Sequence, residues 1–301
     1  MVDARKSKAC LTLLSLVCML LVIAVSSKAP ASESSEQTSL TDADNSAVAS
    51  LPKWHGQSAS VAVTIDLTQP FETQTHWTFV AATLAGSHPD ALDKTPIGGG
   101  SLAQCFVNDL TAHCRYATPP AGSDPASDAA LRFWFSTPVK LYSAHVVYAG
   151  ADNTRPLLLI QTGAASGGDG SHSIYTELFT YDRPSNKFKS VFSNSTGSNN
   201  NQKTRFLEQG PLRGDVIVDD PTSSAPFGYW ISVYALKDDT YSQSLRYRSA
   251  THYGDGNRLS VIDSEMPQIL RRMGLWKAGG PLPAPPGCSH PVLRHGEEWC
   301  E

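Results

Sequence analysis

Charged residues are scarce in this chain of 301 residues, since Asp, Glu, Lys and Arg make up 17% of it. The usual share is about 25%. The formal net charge is −4, and no stretch carries five consecutive residues of like charge. Nucleic-acid binders draw much of their affinity from a basic face that neutralises phosphates. The composition therefore argues against nucleic acid as a partner.

The compact motifs of several enzyme classes are also missing. The chain has no GxSxG elbow of a serine hydrolase and no HExxH metal motif. The glycine-rich stretch 163–170 is followed by Ser171 and His172 rather than by the Lys-Ser/Thr of a phosphate-binding loop. No CxxC spacing of a zinc site occurs. The sequence therefore predicts neither a bound metal nor a cofactor.

The amino terminus has the pattern of a secretory signal. Residues 5–8 carry three basic side chains, residues 10–26 carry no charge, and the small residues Ala24 and Ser26 end the apolar run. Residues 1–26 are predicted to be a cleaved signal peptide or an uncleaved anchor, because the run is at the short end of a membrane span. Both alternatives place the body outside the cytoplasm, periplasmic or secreted. The membrane is then contacted only through an uncleaved amino-terminal segment.

Four of the six cysteines lie beyond the apolar segment, at Cys105, Cys114, Cys288 and Cys300. An even number of cysteines in an exported chain predicts disulfide bonds. Three pairings are possible. Closing a short loop costs least chain entropy, which favours Cys105–Cys114 and Cys288–Cys300.

Composition divides the remaining chain in two. Residues 27–57 are rich in Ser, Ala and Glu and contain few large apolar side chains, so they are predicted to form a disordered linker. Residues 58–301 are predicted to be one β-rich exported domain with a proline-rich, disulfide-stapled tail. Alternating or continuous apolar runs separated by turn residues predict its strands. These runs are 61–67, 75–82, 131–135, 141–148, 156–161, 174–181, 188–192, 216–218, 229–236 and 244–249.

One helix is predicted near the carboxyl terminus. Ser264 is expected to cap it, with Pro267 in the first turn. Arg271 and Arg272 fall in the last turn, where cations favour the helix dipole, and Gly274 is expected to end the helix.

A weak internal repeat runs through the middle of the chain. Residues 156–194 and 214–249 both read as strand, loop, strand, short turn and strand. Together with the loop TGAASGGDG and the strand YTELFTYD, this layout resembles the FG-GAP or VCBS-type repeats of β-propellers, over about 100 residues. The loop departs from that family because Asp169 is its only acid. The predicted fold is all-β: an antiparallel β-sandwich or partial β-propeller-like repeats with one short C-terminal helix.

Two Gly/Asp loops supply the best candidate catalytic residues. Asp169 and His172 lie in the first loop, and His252 and Asp255 lie in the second. Histidine titrates near neutrality and, beside a carboxylate, can move protons. The same residue types are the ordinary components of turns, which is the competing interpretation.

The functional prediction is a non-enzymatic exported or periplasmic binding module, or a cell-envelope interaction module. It rests on the lack of a compact catalytic motif and on polar loops such as 193–203, where binding residues are usually found. An envelope protein or a carbohydrate is the expected partner, the latter if one or two tryptophans are exposed on the surface. The alternative is a secreted hydrolase that uses the four Asp and His residues of the two loops.

Overall fold

The computed structural model describes residues 59–85, 87–89, 96–98, 100–109, 112–115, 137–150, 152, 154–165, 172–197, 202–252 and 256–301. All of them belong to the unit formed by residues 40–301. The predicted signal segment, the linker and the predicted strand 131–135 lie outside these residues.

The first sheet has four antiparallel strands in the order β1-β2-β5-β6. A short helix, α1 (Thr68–Phe71), connects the first two strands, and a separate two-stranded hairpin is inserted before the third. The sheet strands are β1 (Ala59–Asp66), β2 (Trp77–Leu84), β5 (Ser101–Asn108) and β6 (Ala112–Arg115), and the hairpin strands are β3 (Ser87–Pro89) and β4 (Pro96–Gly98).

The second and third sheets are simple four-stranded meanders, in which each strand pairs with the next one along the chain. The second contains β7 (Pro138–Ala149), β8 (Arg155–Ala165), β9 (His172–Asp182) and β10 (Lys187–Gly197); the third contains β11 (Lys203–Phe206), β12 (Val216–Pro221), β13 (Tyr229–Lys237) and β14 (Thr240–Arg248). The two segments of the internal repeat are the last three strands of these two sheets.

The three sheets stack face to face, with the second in the middle. Leu158 and Ile160 of β8 pack with Phe79 of the first sheet. Leu157 and Leu159 point the other way and join the core shared with the third sheet. Successive side chains of a strand alternate between faces, so a strand buried on both faces needs a continuous apolar run. This explains the sequence of residues 156–161.

The free face of the third sheet is covered by helix α2 (Val261–Arg272). Ile262 and Ile269 of the helix are fully buried against Ile217 and Ile231 of the sheet. A final hairpin, β15 (Pro291–Arg294) and β16 (Glu297–Cys300), packs against α2. The prediction of a mostly antiparallel β-fold with one short C-terminal helix is confirmed.

The predicted start of the helix is wrong by one turn. Ser260, not Ser264, is the N-cap, and its side-chain oxygen accepts a hydrogen bond from the Asp263 amide. The apolar face of the helix begins with Val261 and Ile262, so tertiary packing draws the first turn into the helix. The predicted end is correct, because Gly274 adopts a positive φ of 72°.

The predicted polar loop 193–203 is also partly wrong. Residues 193–197 complete β10, where Asn194 is paired with Thr176, and Lys203 opens β11. The amide of Asn194 donates a 2.8 Å hydrogen bond to Thr204, so a polar segment is held in strand form by polar partners. Helix α1 was not predicted, since four residues are too few for a helical repeat to be recognised.

Both local cysteine pairs are confirmed as disulfides. Cys105 and Cys114 are direct partners across β5 and β6, while Cys288 and Cys300 join the proline-rich tail to β16. Disulfides are compatible with an oxidising, exported location. Of the helices in the described part of the chain, none is both long and apolar enough to cross a membrane; residues 10–26 lie outside that part.

Candidate functional site

The structure places only two of the four predicted loop residues. His172 is the first residue of β9 and His252 follows β14, and both are exposed. Asp169 and Asp255 lie outside the described residues. Within the described ranges, no group of three or more His, Cys, Asp and Glu side chains is arranged to hold a metal ion. The predicted Asp/His site thus stays a prediction.

A different site lies beside helix α2. A cleft of about 540 Å³ opens between the loop that follows β11, the helix, the proline-rich tail and β16. We call it the α2 cleft; it is lined by residues 205–212, Asp263, Met266, Leu270, residues 283–286 and Glu298. Its volume lies within the roughly 300–1,000 Å³ typical of small-molecule sites.

The loop side of the cleft is held in place by backbone hydrogen bonds. The Leu207 amide donates to the Asp215 carbonyl at 2.9 Å, and the Gly214 amide donates back to the Leu207 carbonyl at 2.7 Å. Gly214 has a φ of 87°, and a Cβ there would lie 3.1 Å from the backbone of Ala149. Glycine is therefore required for the loop to close against β7.

A charged network joins the cleft to the helix start. The Arg205 guanidinium donates to both carboxylate oxygens of Asp263, at 2.5 and 3.0 Å, and to the Ser260 hydroxyl oxygen at 2.9 Å. The Ser260 hydroxyl itself donates to Asp263 at 2.6 Å. Burial alone would raise the pKa of Asp263, but the hydrogen bonds from Arg205 and Ser260 outweigh it and hold that pKa below its usual value. Asp263 is thus an ionised, fully engaged carboxylate.

Glu298 contributes a second carboxyl group, which, unlike that of Asp263, has no hydrogen-bond donor among the described residues. Its residue is 0% exposed, and neither carboxylate oxygen has a hydrogen-bond partner in the described part of the chain. Burial, reinforced by the negative charge of Asp263, raises the pKa of Glu298 to about 7. A buried carboxyl group is costly unless it is paired or protonated. Glu298 is therefore a buried carboxyl group without a donor, covered from solvent behind the wall of the cleft.

The backbone around Glu298 is firmly positioned. The side-chain amide nitrogen of Asn257 donates a hydrogen bond of 2.8 Å to the Glu298 carbonyl and one of 3.0 Å to the Ser264 hydroxyl oxygen. One side chain thus ties β16 to the helix. The Cys288–Cys300 disulfide closes the same hairpin onto the tail that lines the cleft.

The remaining walls are apolar and the total charge is negative. Leu207, Leu212, Met266 and Leu270 line the cleft together with the tail prolines. The ionisable side chains that line it are Arg205, Glu208, Asp263 and Glu298. Their net charge is −1 with Glu298 protonated and −2 with it ionised, so the cleft favours a positively charged guest.

Sequence reasoning missed this site because its carboxylates come from distant segments. Asp263 and Glu265 are two residues apart on the helix, but their side chains diverge. Asp263 lines the cleft, whereas Glu265 is buried against Tyr247 and Thr251. The available signal was Glu298, an acidic residue directly before Trp299 and Cys300 in a disulfide-closed tail.

Each described tryptophan is either buried or has an arginine over one face of its ring. Trp77 is buried, and an arginine guanidinium lies over the rings of Trp230, Trp276 and Trp299, at 4.7, 5.3 and 5.1 Å from the ring centres. The aromatic residues 133–135 lie outside the described ranges.

Comparison of the chain with protein-family models, with curated proteins and with solved structures found no match. The α2 cleft is thus the feature of the chain from which a function can be inferred.

Proposed function

We propose that this chain is a non-enzymatic binding module of the cell envelope, periplasmic or secreted, and that it holds its ligand in the α2 cleft. The four-stranded meanders serve as a rigid scaffold, in keeping with the proposed resemblance to propeller-type repeats. The two disulfides support an oxidising compartment.

The observation that carries the proposal is the α2 cleft itself, with its apolar walls and the buried, unpartnered carboxyl group of Glu298 behind one of them. A buried carboxyl group without donors costs stability, so each such group in a folded protein calls for an explanation. The cleft of about 540 Å³ next to it supports a ligand site in this part of the chain. The other carboxyl at the cleft, Asp263, is already satisfied by Arg205 and Ser260.

An envelope protein is the partner class we favour. The rigid proline wall and the apolar side chains suit a side chain of a partner polypeptide. A carbohydrate partner usually stacks on an open aromatic face, and arginines lie over Trp230, Trp276 and Trp299.

The test uses the full chain, exported and purified without reducing agent, as bait for an envelope extract. Gln209 is exposed and lines the cleft, so Gln209→Trp places an indole at its mouth without touching the core. Gln243, exposed on β14 away from the cleft, supplies the matched control Gln243→Trp.

We expect an envelope component that is retained by the wild type and by Gln243→Trp and lost by Gln209→Trp. Mass spectrometry should recover that component chemically unaltered. Equal capture by both variants, or no capture at all, would refute binding in the cleft. Recovery of a cleaved component would show an enzyme instead of a binding module.

A further inference from the structure

The segment that runs from helix α2 through the proline-rich tail to the final hairpin has no acidic residue. Residues 266–296 contain no Asp or Glu, although the whole chain has 28 acidic residues against 24 Lys and Arg. The same segment contains Arg271, Arg272, Lys277 and Arg294, and all four are exposed. A chain of net negative charge thus concentrates positive charge in one part of its surface.

Three of these four cations have no acidic neighbour. Arg294 forms an ion pair with Glu301. Of the ion pairs between described residues, none includes Arg271, Arg272 or Lys277. Their charge is therefore not neutralised by the protein itself.

Aromatic rings hold the two arginines of the helix end in place. The guanidinium of Arg271 lies over the ring of Trp276 at 5.3 Å, and that of Arg272 lies over the ring of Tyr247 at 4.3 Å, measured to the ring centres. Such a contact uses the face of the guanidinium. Its N–H donors lie in the guanidinium plane, so they still point away from the ring.

The chain turns back at the end of α2 and places an apolar side chain beside these cations. The Gly274 amide donates to the Arg271 carbonyl at 3.0 Å, and the Leu275 amide donates to the Leu270 carbonyl at 2.8 Å. These two hydrogen bonds form a Schellman motif, in which the residue at the position of Leu275 commonly packs onto the helix. Here 48% of Leu275 stays exposed. A fixed backbone thus holds a leucine at the surface.

Helix capping explains part of this arrangement. Cations in the last turn are favourable for the helix dipole, which accounts for Arg271 and Arg272. It does not account for Lys277, which lies beyond the C-cap residue Met273, or for the exposure of Leu275. Unneutralised cations around an exposed leucine fit a surface that offers negative charge and hydrocarbon together. An anionic lipid surface has both properties.

We propose that this basic patch binds an anionic lipid surface. The basic patch consists of Arg271, Arg272, Leu275 and Lys277. The three cations contact lipid headgroups, and the leucine enters the boundary between headgroups and acyl chains. Half-buried Trp276 lies next to it in the chain, and indoles are favoured at that boundary.

The proposal goes beyond the binding of a ligand in the α2 cleft, because no residue of the basic patch lines that cleft. It also adds a membrane contact to the body of the protein, where the sequence predicted contact through the amino terminus alone. The net negative charge of the chain does not prevent it. The Debye length is about 8 Å at physiological salt, so exposed charges farther from the membrane are largely screened.

Flotation with lipid vesicles tests the proposal on the full chain, exported and purified without reducing agent. The vesicles contain phosphatidylcholine alone or an equal mixture with anionic phosphatidylglycerol. We expect tighter binding to the anionic vesicles, and a steep loss of that preference at 1 M NaCl, where the Debye length falls to about 3 Å. Equal partition coefficients for the two kinds of vesicle would overturn the proposal.

A triple substitution locates the contact. Arg271→Gln, Arg272→Gln and Lys277→Gln together should weaken binding to anionic vesicles about a hundredfold, since each cation at an anionic membrane contributes about fivefold. The matched control has the same net charge and replaces exposed lysines on β7, β10 and β13, namely Lys140→Gln, Lys187→Gln and Lys237→Gln. The control should bind like the wild type. All variants carry the same amino terminus, so an uncleaved segment contributes equally to each. Equal binding by the two triple variants would refute the role of the basic patch.

A single substitution covers the case in which the triple variant does not fold, as judged by circular dichroism. Lys277 lies beyond the helix, so Lys277→Gln leaves the packing of α2 intact. It should still weaken binding to anionic vesicles about fivefold. Unchanged binding by this variant would then contradict the proposal.

Leu275→Ala distinguishes a lipid surface from a soluble acidic polymer. The variant keeps every charge but removes most of the apolar contact, so it should weaken vesicle binding about fivefold and leave binding to dextran sulfate unchanged. A polymer offers no hydrocarbon for the leucine. Vesicle binding that is the same for Leu275→Ala and the wild type would refute insertion into lipid and identify an acidic polymer as the partner class.

Discussion

The phenolic hydroxyl of Tyr247 donates a hydrogen bond of 2.7 Å to one oxygen of the Glu265 carboxylate. The Thr251 hydroxyl donates a hydrogen bond of 2.6 Å to the other oxygen. Glu265 is 1% exposed and Tyr247 8%. The buried carboxylate thus joins α2 to the third sheet with both oxygens satisfied, in contrast to Glu298. Burial first, and then the charge of Glu265, raises the pKa of Tyr247, so the phenol stays protonated and remains a donor.

Replacement of Tyr247 by phenylalanine should destabilise the contact between helix and sheet. Tyr247→Phe keeps the ring but leaves one buried carboxylate oxygen without a donor, which costs about 1–3 kcal/mol. Urea unfolding at pH 7 measures the change. Tyr148→Phe, at an exposed tyrosine on β7, is the matched control and should stay within about 0.5 kcal/mol of the wild type. Equal stability of the two variants would contradict the role assigned to the Tyr247 hydroxyl.

Asn186 should be required for the contact between the first and second sheets. It has a φ of 49° in the turn between β9 and β10, and its side-chain oxygen accepts from the Trp77 indole at 3.0 Å and the Tyr181 hydroxyl at 2.6 Å. Asn186→Ala loses the acceptor and strains the turn, and should lower the unfolding free energy by about 2 kcal/mol or more.

Two further substitutions of Asn186 separate the causes. Asn186→Asp keeps an acceptor and tolerates the positive φ, so it should cost less than alanine. Asn186→Gly lacks the acceptor but is not strained at the positive φ, so its loss of stability should lie between those of the aspartate and alanine variants. Thermal or urea unfolding of the three variants gives the order, and an aspartate variant as unstable as the alanine variant would refute the acceptor role.

Asp219 should make stability fall as pH rises. One of its oxygens accepts from the Lys203 amide, while the other is buried without a partner among the described residues. Burial is the main cause that raises its pKa from 3.8 to about 8. Between these two values the folded chain holds a proton that the unfolded chain has lost, so unfolding becomes easier with rising pH.

Asp219→Asn removes that titration. Its unfolding free energy relative to the wild type should therefore increase steadily from pH 4 to pH 8, the window between the unfolded and folded pKa values of Asp219. The comparison cancels the contribution of Glu298, which is common to both proteins. A difference that does not change with pH would show that Asp219 is ionised in the folded state.

Local patterns were sufficient to predict most strands and both disulfides. Val63 and Ile65 alternate with polar residues because they face the core shared with the second sheet, and this period of two is visible in the sequence. Val61 continues the pattern in the sequence, but a bulge before Val63 places it on the opposite face of the first sheet. The short spacing of each cysteine pair favours local closure for entropic reasons, and the structure contains those pairs. Gly274 marked the end of α2 because few other residues accept its backbone conformation.

Local patterns were insufficient for the start of α2 and for the strand character of residues 193–197. The first turn of the helix exists because Val261 and Ile262 are buried against a sheet that lies earlier in the chain. Asn194 is held in β10 by Thr204 of the next sheet and by its neighbours on β9. In both cases a tertiary partner decided the conformation.

The amino-acid sequence alone determined that this chain forms antiparallel strands with two short-range cysteine pairs, because side-chain alternation and loop closure act between near neighbours. Only the tertiary structure brought Arg205, Asp263 and Glu298 to a single cleft. Their separation along the chain carries no information about their distance in space, and the pKa of Glu298 depends on the burial and the neighbouring charge that folding creates.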